Sequence, residues 1–284
     1  MPHLIDPAAL ADLAASSSRV RILDVRWRLD RPDGRPDFLT GHLPGAVFVH
    51  LGTELSRPGS PDEGRHPLPT RDALEDAARG WGLDDGDTVV VYDDWNSVSA
   101  ARAWWLLRGS GVDDVRVLDG GLSAWIDAGL PLETGEVAPR RGSVVLSELG
   151  ASTVTIDEAA AWAEQGVLLD ARAPERYRGD IEPIDPVAGH IPGARNLPAA
   201  ALLDGSRFRR PDELAAAFDA VGARSGAPVA AYCGSGVTAA HTALAGAVAG
   251  IDVAVYPGSW SAWSNTPGRA IATGADPSEV TGTV

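Results

Sequence analysis

Two hydrophobic periods alternate along this chain. Short, almost continuous apolar runs alternate with longer stretches whose apolar positions recur every three or four residues. The runs Val20–Val25, Thr88–Tyr92 and Val115–Leu118 predict strands in the first half, and Val167–Asp170, Val229–Tyr232 and Val253–Tyr256 predict strands in the second. The helical stretches are Ala8–Ala15, Arg71–Trp81 and Ser99–Arg108, then Pro211–Val221 and Thr238–Ala249. Helix ends carry the expected signals. Asp6 followed by Pro7 is an N-cap with proline at the first helical position. Thr70 caps Arg71–Trp81, Gly82 follows its end, and Thr155 caps a further helix. Strands buried on both faces and separated by helices predict an α/β fold, with a mainly parallel sheet covered by helices on both sides.

The pattern occurs twice. Leu23-Asp24-Val25-Arg26 returns as Leu169-Asp170-Ala171-Arg172, and Gly41-His42-Leu43-Pro44-Gly45-Ala46 returns as Gly189-His190-Ile191-Pro192-Gly193-Ala194. Val90-Val91-Tyr92-Asp93 returns as Ala230-Ala231-Tyr232-Cys233, and Asp119-Gly120-Gly121-Leu122-Ser123-Ala124-Trp125 as Tyr256-Pro257-Gly258-Ser259-Trp260-Ser261-Ala262-Trp263, shifted by one residue. The offset narrows only from 148, between His42 and His190, to 138, between Trp125 and Trp263. Four ordered matches at so long a period indicate two duplicated domains, not a solenoid of short units. The Gly- and Pro-punctuated stretch between them has no long apolar period and reads as a linker. The expected division is therefore 1–133, a linker 134–152, and 153–284.

The candidate chemistry sits in the second copy. Cys233 is the single cysteine of the chain, placed where a strand ends and the Ala-rich helix begins. Active sites of parallel sheets lie beyond the carboxyl ends of strands. The loop Cys233–Thr238 contains two glycines and a serine, so its backbone N–H groups turn inward, and the helix N-terminus adds partial positive charge. Both stabilise a thiolate and make the sulfur nucleophilic. A buried structural cysteine needs no such loop.

The segment Cys233-Gly234-Ser235-Gly236-Val237-Thr238-Ala239 resembles the active loop of the rhodanese-like sulfurtransferases, in particular the mercaptopyruvate sulfurtransferase branch. With the repeat, the resemblance spans both halves and implies tandem rhodanese-like domains. It implies that Cys233 takes sulfur from a small anionic donor, thiosulfate or 3-mercaptopyruvate, as a persulfide and passes it to an external thiol or cyanide. Gly234, Ser235, Gly236, Val237 and Thr238 would surround the donor sulfur. An anionic donor needs cationic partners, and the family places a donor-binding arginine at the position of Arg176, within Arg176-Tyr177-Arg178-Gly179. Arg178 is a further candidate. Arg172 has a counterpart in Arg26 and reads as half of a structural ion pair. His42 and His190 share a Gly-His-x-Pro-Gly-Ala turn in both copies, which favours a turn-forming role, although relatives assign a substrate role to the histidine of the first turn. In two-domain relatives the site lies between the domains. The first copy has Asp93-Asp94 where the second has Cys233-Gly234, so it is expected to be catalytically silent, its acidic pair repelling an anion.

Two departures bear on the donor. Mercaptopyruvate-specific relatives carry a second arginine after Glu-Pro, where Glu182-Pro183 is here followed by Ile184. Thiosulfate-preferring relatives carry basic residues inside the loop, where this chain has Gly234 and Ser235. The loop slightly favours 3-mercaptopyruvate. A phosphatase or arsenate reductase would need an arginine six positions after the cysteine, and position 239 is alanine. A non-enzymatic sulfur-carrier or interaction module of the same fold is the alternative reading.

Composition narrows the field further. A net charge of −15 argues against nucleic-acid binding through phosphates. No run approaches the length of a membrane span, and the first residues lack the pattern of a secretory signal. One cysteine excludes an intrachain disulfide and suits a reducing cytoplasm. The six histidines show no metal-ligand spacing, so neither a metal nor another cofactor is expected.

Overall fold

The computed structural model describes residues 2–150, 153–277 and 279–284. The chain divides into two compact units. Unit one comprises Met1–Arg57, Leu68–Ala151 and Asp204–Phe208, and unit two comprises Pro58–Pro67, Ser152–Leu203 and Arg209–Val284. Two short segments thus group with the unit opposite to their place in the chain. Of the linker stretch 134–152, Val144 and Leu146 are buried, and residues 151 and 152 lie outside those described.

Unit one runs β1 (Leu4–Ile5), α1 (Pro7–Ser16), β2 (Val20–Asp24), α2 (Arg35–Thr40), β3 (Val47–Phe48), α3 (Leu51–Glu54), α4 (Arg71–Gly80), β4 (Thr88–Tyr92), α5 (Val98–Gly109), β5 (Val115–Leu118) and α6 (Gly121–Asp127). Its five strands are parallel in the order β1-β5-β4-β2-β3. Unit two runs α7 (Ile156–Ala161), β6 (Val167–Asp170), α8 (Pro174–Arg178) and β7 (Arg195–Asn196). The hairpin β8 (Leu203–Asp204) and β9 (Arg207–Phe208) follows in the chain, its residues Asp204–Phe208 grouping with unit one. The chain continues through α9 (Pro211–Ala220), β10 (Val229–Tyr232), α10 (Val237–Ala249), β11 (Ala254–Val255) and α11 (Ser259–Trp263), and closes with the antiparallel pair β12 (Ala270–Ala272) and β13 (Val280–Thr283). The main sheet of unit two is parallel in the order β11-β10-β6-β7. It reproduces β5-β4-β2-β3 of unit one strand for strand, as the repeat requires.

β4, β5, β6 and β10 begin and end where the apolar runs do. The caps also hold. Asp6 accepts from Ala9 N–H, Thr70 from Ala73 N–H, and Thr155 forms a reciprocal pair with Glu158. α2, α3, α6, α8 and α11, of four to seven residues each, are too short for a helical period to register.

Both cores are built around the same buried ion pair. Arg26 holds Asp24 at 2.7 Å and donates to the Gly41 carbonyl at 2.8 Å. Arg172 holds Asp170 at 2.6 Å and donates to the Gly189 carbonyl at 2.7 Å. Its guanidinium also stacks 4.6 Å from the Trp260 ring. The expected structural role of Arg172 is what the structure shows. Removing one partner of such a pair costs about 3–5 kcal/mol, because the other charge stays buried.

Candidate active site

β10 is buried along its whole length, and it ends at Tyr232. Cys233 follows, 2% exposed, and α10 opens only four residues later at Val237. The turn is this short because Gly236 takes the left-handed conformation at the N-cap, with φ 81°. A Cβ there would lie 2.3 Å from the Pro257 carbonyl oxygen, so glycine is required on both counts. The helix thus starts one residue earlier than the hydrophobic pattern predicts. The Gly236 N–H donates to Cys233 Sγ at 3.1 Å. An amide aimed at sulfur from the N-cap of a thirteen-residue helix stabilises negative charge there. Ser235 and Val237 are buried beside it, and Thr238 is half-buried. The loop is pinned from behind by α11, where Trp260 N–H donates to the Cys233 carbonyl and Ser261 N–H to the Gly234 carbonyl, both at 2.9 Å.

Two guanidiniums flank this loop. A Cβ built on Gly234 would lie 3.0 Å from Arg65 Nη2 and 3.4 Å from Arg176 Nη1. Arg176 is therefore brought to the loop as expected. Arg65 is the cation that the sequence reading missed. It arrives on Pro58–Pro67, the segment of the first half that belongs to unit two. Both arginines are held by carboxylates that are themselves almost fully buried. Glu182 accepts from Arg176 at 2.7 Å, and Asp185 accepts from Arg176 at 3.3 Å and also pairs with Arg65. Burial pushes the Asp185 carboxyl above its usual range, an effect opposed by Arg65 and Arg176. Glu182 is positioned in turn by Arg172 and by the N–H groups of Ile184 and Asp185. Where the resemblance leads one to look for a second arginine, the chain has Ile184, and the next residue, Asp185, is the carboxylate that holds Arg65.

The duplicated loop shows what such a turn binds. Asp93 stands at the position of Cys233, and its carboxylate accepts the N–H groups of Trp95, Ser97, Ser99 and Ala100 at 2.8–2.9 Å. Four inward amides hold one anion. Burial nevertheless pushes the Asp93 carboxyl up to about 6, against the lowering effect of those amides. Of the acidic pair that the sequence reads as repelling an anion, Asp93 is fully buried and Asp94 pairs with Arg28.

The remaining candidates are placed differently. Arg178 is 40% exposed and paired with Asp180 at 2.7 Å. His42 lies in unit one, stacked on Phe38 at 3.9 Å with Nδ1 at 2.8 Å from the Phe38 carbonyl. His190 repeats this in unit two, stacked on Tyr177 at 3.8 Å with Nδ1 at 2.8 Å from the Tyr177 carbonyl. The repetition supports a packing role for both. Among the described residues, no group of three or more His, Cys, Asp or Glu side chains is arranged to hold a metal ion.

Comparison with known proteins agrees with this geometry. The Rhodanese-like domain model matches twice, at residues 6–128 and 155–266. SseB of Mycobacterium tuberculosis, named as a thiosulfate sulfurtransferase, is 48% identical over 275 residues, covering 95% of this chain and 97% of the relative. A Pseudomonas aeruginosa protein named as a 3-mercaptopyruvate sulfurtransferase is 44% identical over 268 residues, covering 89% of this chain and 92% of the relative. The crystal structure of Escherichia coli SseA, a 3-mercaptopyruvate sulfurtransferase, superposes with a TM-score of 0.80 at 32% identity, over 92% of this chain and 99% of that one. Two matched domains, a lone thiol in the second and near full-length relatives together show that the chain belongs to the two-domain rhodanese-like sulfurtransferases.

Proposed function

We propose that Cys233 carries the transferred sulfur, that Arg176 and Arg65 hold the anionic end of the donor, and that the donor used best is 3-mercaptopyruvate. The observation that carries this reading is the convergence on Gly234 of two guanidiniums, next to a thiol that receives a helix N-terminal amide. The Cys233 thiolate attacks the donor sulfur. The donor's C–S bond breaks, its electron pair stays on the methylene carbon, and the thiol proton ends there, so pyruvate leaves and Cys233 holds a persulfide. With thiosulfate the S–S bond breaks and sulfite leaves. Loop N–H groups, and the Ser235 hydroxyl beside them, stabilise the charge that develops on sulfur. A small thiol, a protein thiol or cyanide then removes the outer sulfur. The acceptor comes from outside because the chain has no second cysteine.

The preference for 3-mercaptopyruvate rests on charge. Arg65 and Arg176 are balanced by Glu182 and Asp185, and the loop adds no cation. A dianion loses more hydration than a monoanion on entering such a charge-balanced site, and no surplus cation there offsets that cost. Unit one, with Asp93 in place of the cysteine, transfers no sulfur. The protein works in the cytoplasm, where a lone thiol stays reduced. No helix among the described residues is long and apolar enough to cross a membrane. The test is kcat/KM for 3-mercaptopyruvate and thiosulfate on one preparation. A ratio in favour of thiosulfate overturns the donor assignment.

A further inference from the structure

Ser259 stands in a backbone conformation that suits glycine. Its φ is 54°, and among the described residues of unit two no other non-glycine residue has a positive φ. The duplicate shows the unstrained solution, since the equivalent residue of unit one is Gly121, at φ 58°. Hydrogen bonds establish the equivalence. Leu122 N–H donates to the Asp93 carbonyl at 2.9 Å, and Trp260 N–H donates to the Cys233 carbonyl at 2.9 Å. One copy of the fold therefore uses glycine at this point, and the copy with the thiol holds a side chain there against its conformational preference.

What serine adds is a hydroxyl in a fully buried place. Its Oγ accepts the Cys233 N–H at 3.1 Å and donates to the Tyr256 carbonyl at 2.9 Å. It lies 4.0 Å from Cys233 Sγ. A hydroxyl has one proton and here two acceptors within reach. Beside a neutral thiol the carbonyl is the better acceptor. Beside a sulfur anion the charge-assisted bond to sulfur is the stronger one.

We propose that Ser259 is a positioning residue for sulfur transfer. It fixes the backbone of Cys233 through the N–H···Oγ bond and turns its hydroxyl proton toward Sγ when that sulfur is negatively charged. The inference rests on the reading of Cys233 as the sulfur carrier and adds to it why a strained serine replaces a glycine.

Two variants separate hydroxyl from backbone. Ser259→Gly removes the hydroxyl and relaxes the backbone, whereas Ser259→Ala removes the hydroxyl and keeps the strain. Kinetics with 3-mercaptopyruvate and cyanide should show kcat lowered about tenfold in both, with KM for the donor within about twofold of wild type, because the hydroxyl faces the reacting sulfur and not the donor's anionic end. The Gly variant should melt above the Ala variant. A merely structural serine predicts the reverse pattern, in which the Gly variant keeps wild-type kcat. That result overturns the proposal, as does a donor KM raised together with the fall in kcat, or a Gly variant that fails to fold. Intact-mass measurement after donor treatment keeps the two readings apart. Sulfur found on Cys233→Ser refutes the persulfide assignment, whereas normal loading of wild type with unchanged Ser259→Gly kinetics refutes the role of Ser259 alone.

Discussion

At the scale of the residue, the same turn holds a carboxylate in one copy and a thiol in the other. Cys233→Ser should abolish sulfur transfer and leave the fold intact, since serine is nearly isosteric. The check is one added sulfur on the donor-treated wild type and none on the variant. Asp93 yields a pH prediction. Its folded-state value, raised to about 6, lies above that of an unfolded aspartate, so the native state binds this proton more tightly. Its contribution to stability is present below the unfolded value and falls by about 3 kcal/mol as pH rises from roughly 4 through 6. The melting temperature of the wild type minus that of Asp93→Asn should therefore drop across this window and stay level above about pH 7. A difference that grows with pH would reverse the sign of the assignment. At pH 7 Asp93→Ala should destabilise the protein, because four buried N–H groups lose their acceptor, and it should leave donor kinetics nearly unchanged.

At the scale of the element, the working part is a strand, a four-residue turn and a helix. Gly236→Ala meets both a left-handed φ and the Pro257 carbonyl at 2.3 Å. It should cost about 2–3 kcal/mol or more and lower the melting temperature by several degrees. Gly234→Ala meets only the side-chain ends of Arg65 and Arg176, so it should leave the melting temperature nearly unchanged and raise the donor KM. A Gly234→Ala variant with unchanged KM would show that the two guanidiniums do not face the donor. This element was legible in the sequence because everything that makes it is local: an apolar run, the glycines, the Ala-rich helix. The strands β2, β4, β5, β6, β10 and β11 were legible for the same reason, being largely buried, whereas two-residue strands such as β1, β3 and β7 are too short for a pattern to register. Arg65 was not. It stands 168 residues before Cys233, in a Gly- and Pro-rich stretch without periodicity, and nothing in its surroundings points to the loop it reaches. Ser259 was visible as part of a repeated motif, but its strain appears only when its φ is set beside that of Gly121.

At the scale of the whole molecule, the proposed function asks an acidic chain to hold an anion, with residues that distant segments bring together within unit two. Arg65 comes from Pro58–Pro67, Arg176, Glu182 and Asp185 come from Ser152–Leu203, and the loop comes from Arg209–Val284. The charges of the two arginines and two carboxylates cancel, so each change of one unit alters the field that the donor meets. Coulomb energy is linear in the donor's charge, so the logarithm of each effect should be about twice as large for thiosulfate as for singly charged 3-mercaptopyruvate. Losing a charge-assisted contact is worth about 1.5–3 kcal/mol. Arg176→Ala and Arg65→Ala should each lower kcat/KM for 3-mercaptopyruvate about tenfold or more, and that for thiosulfate by roughly the square of that factor. Asp185→Asn removes a negative charge while keeping an acceptor for the arginines, so it should move the ratio the other way, toward thiosulfate. Asp185→Glu keeps the charge and should keep the ratio near that of the wild type. Measuring kcat/KM for both donors on these four variants tests the argument. Equal effects on the two donors would mean that the arginines act through shape, and the preference for 3-mercaptopyruvate would then have to come from the loop itself.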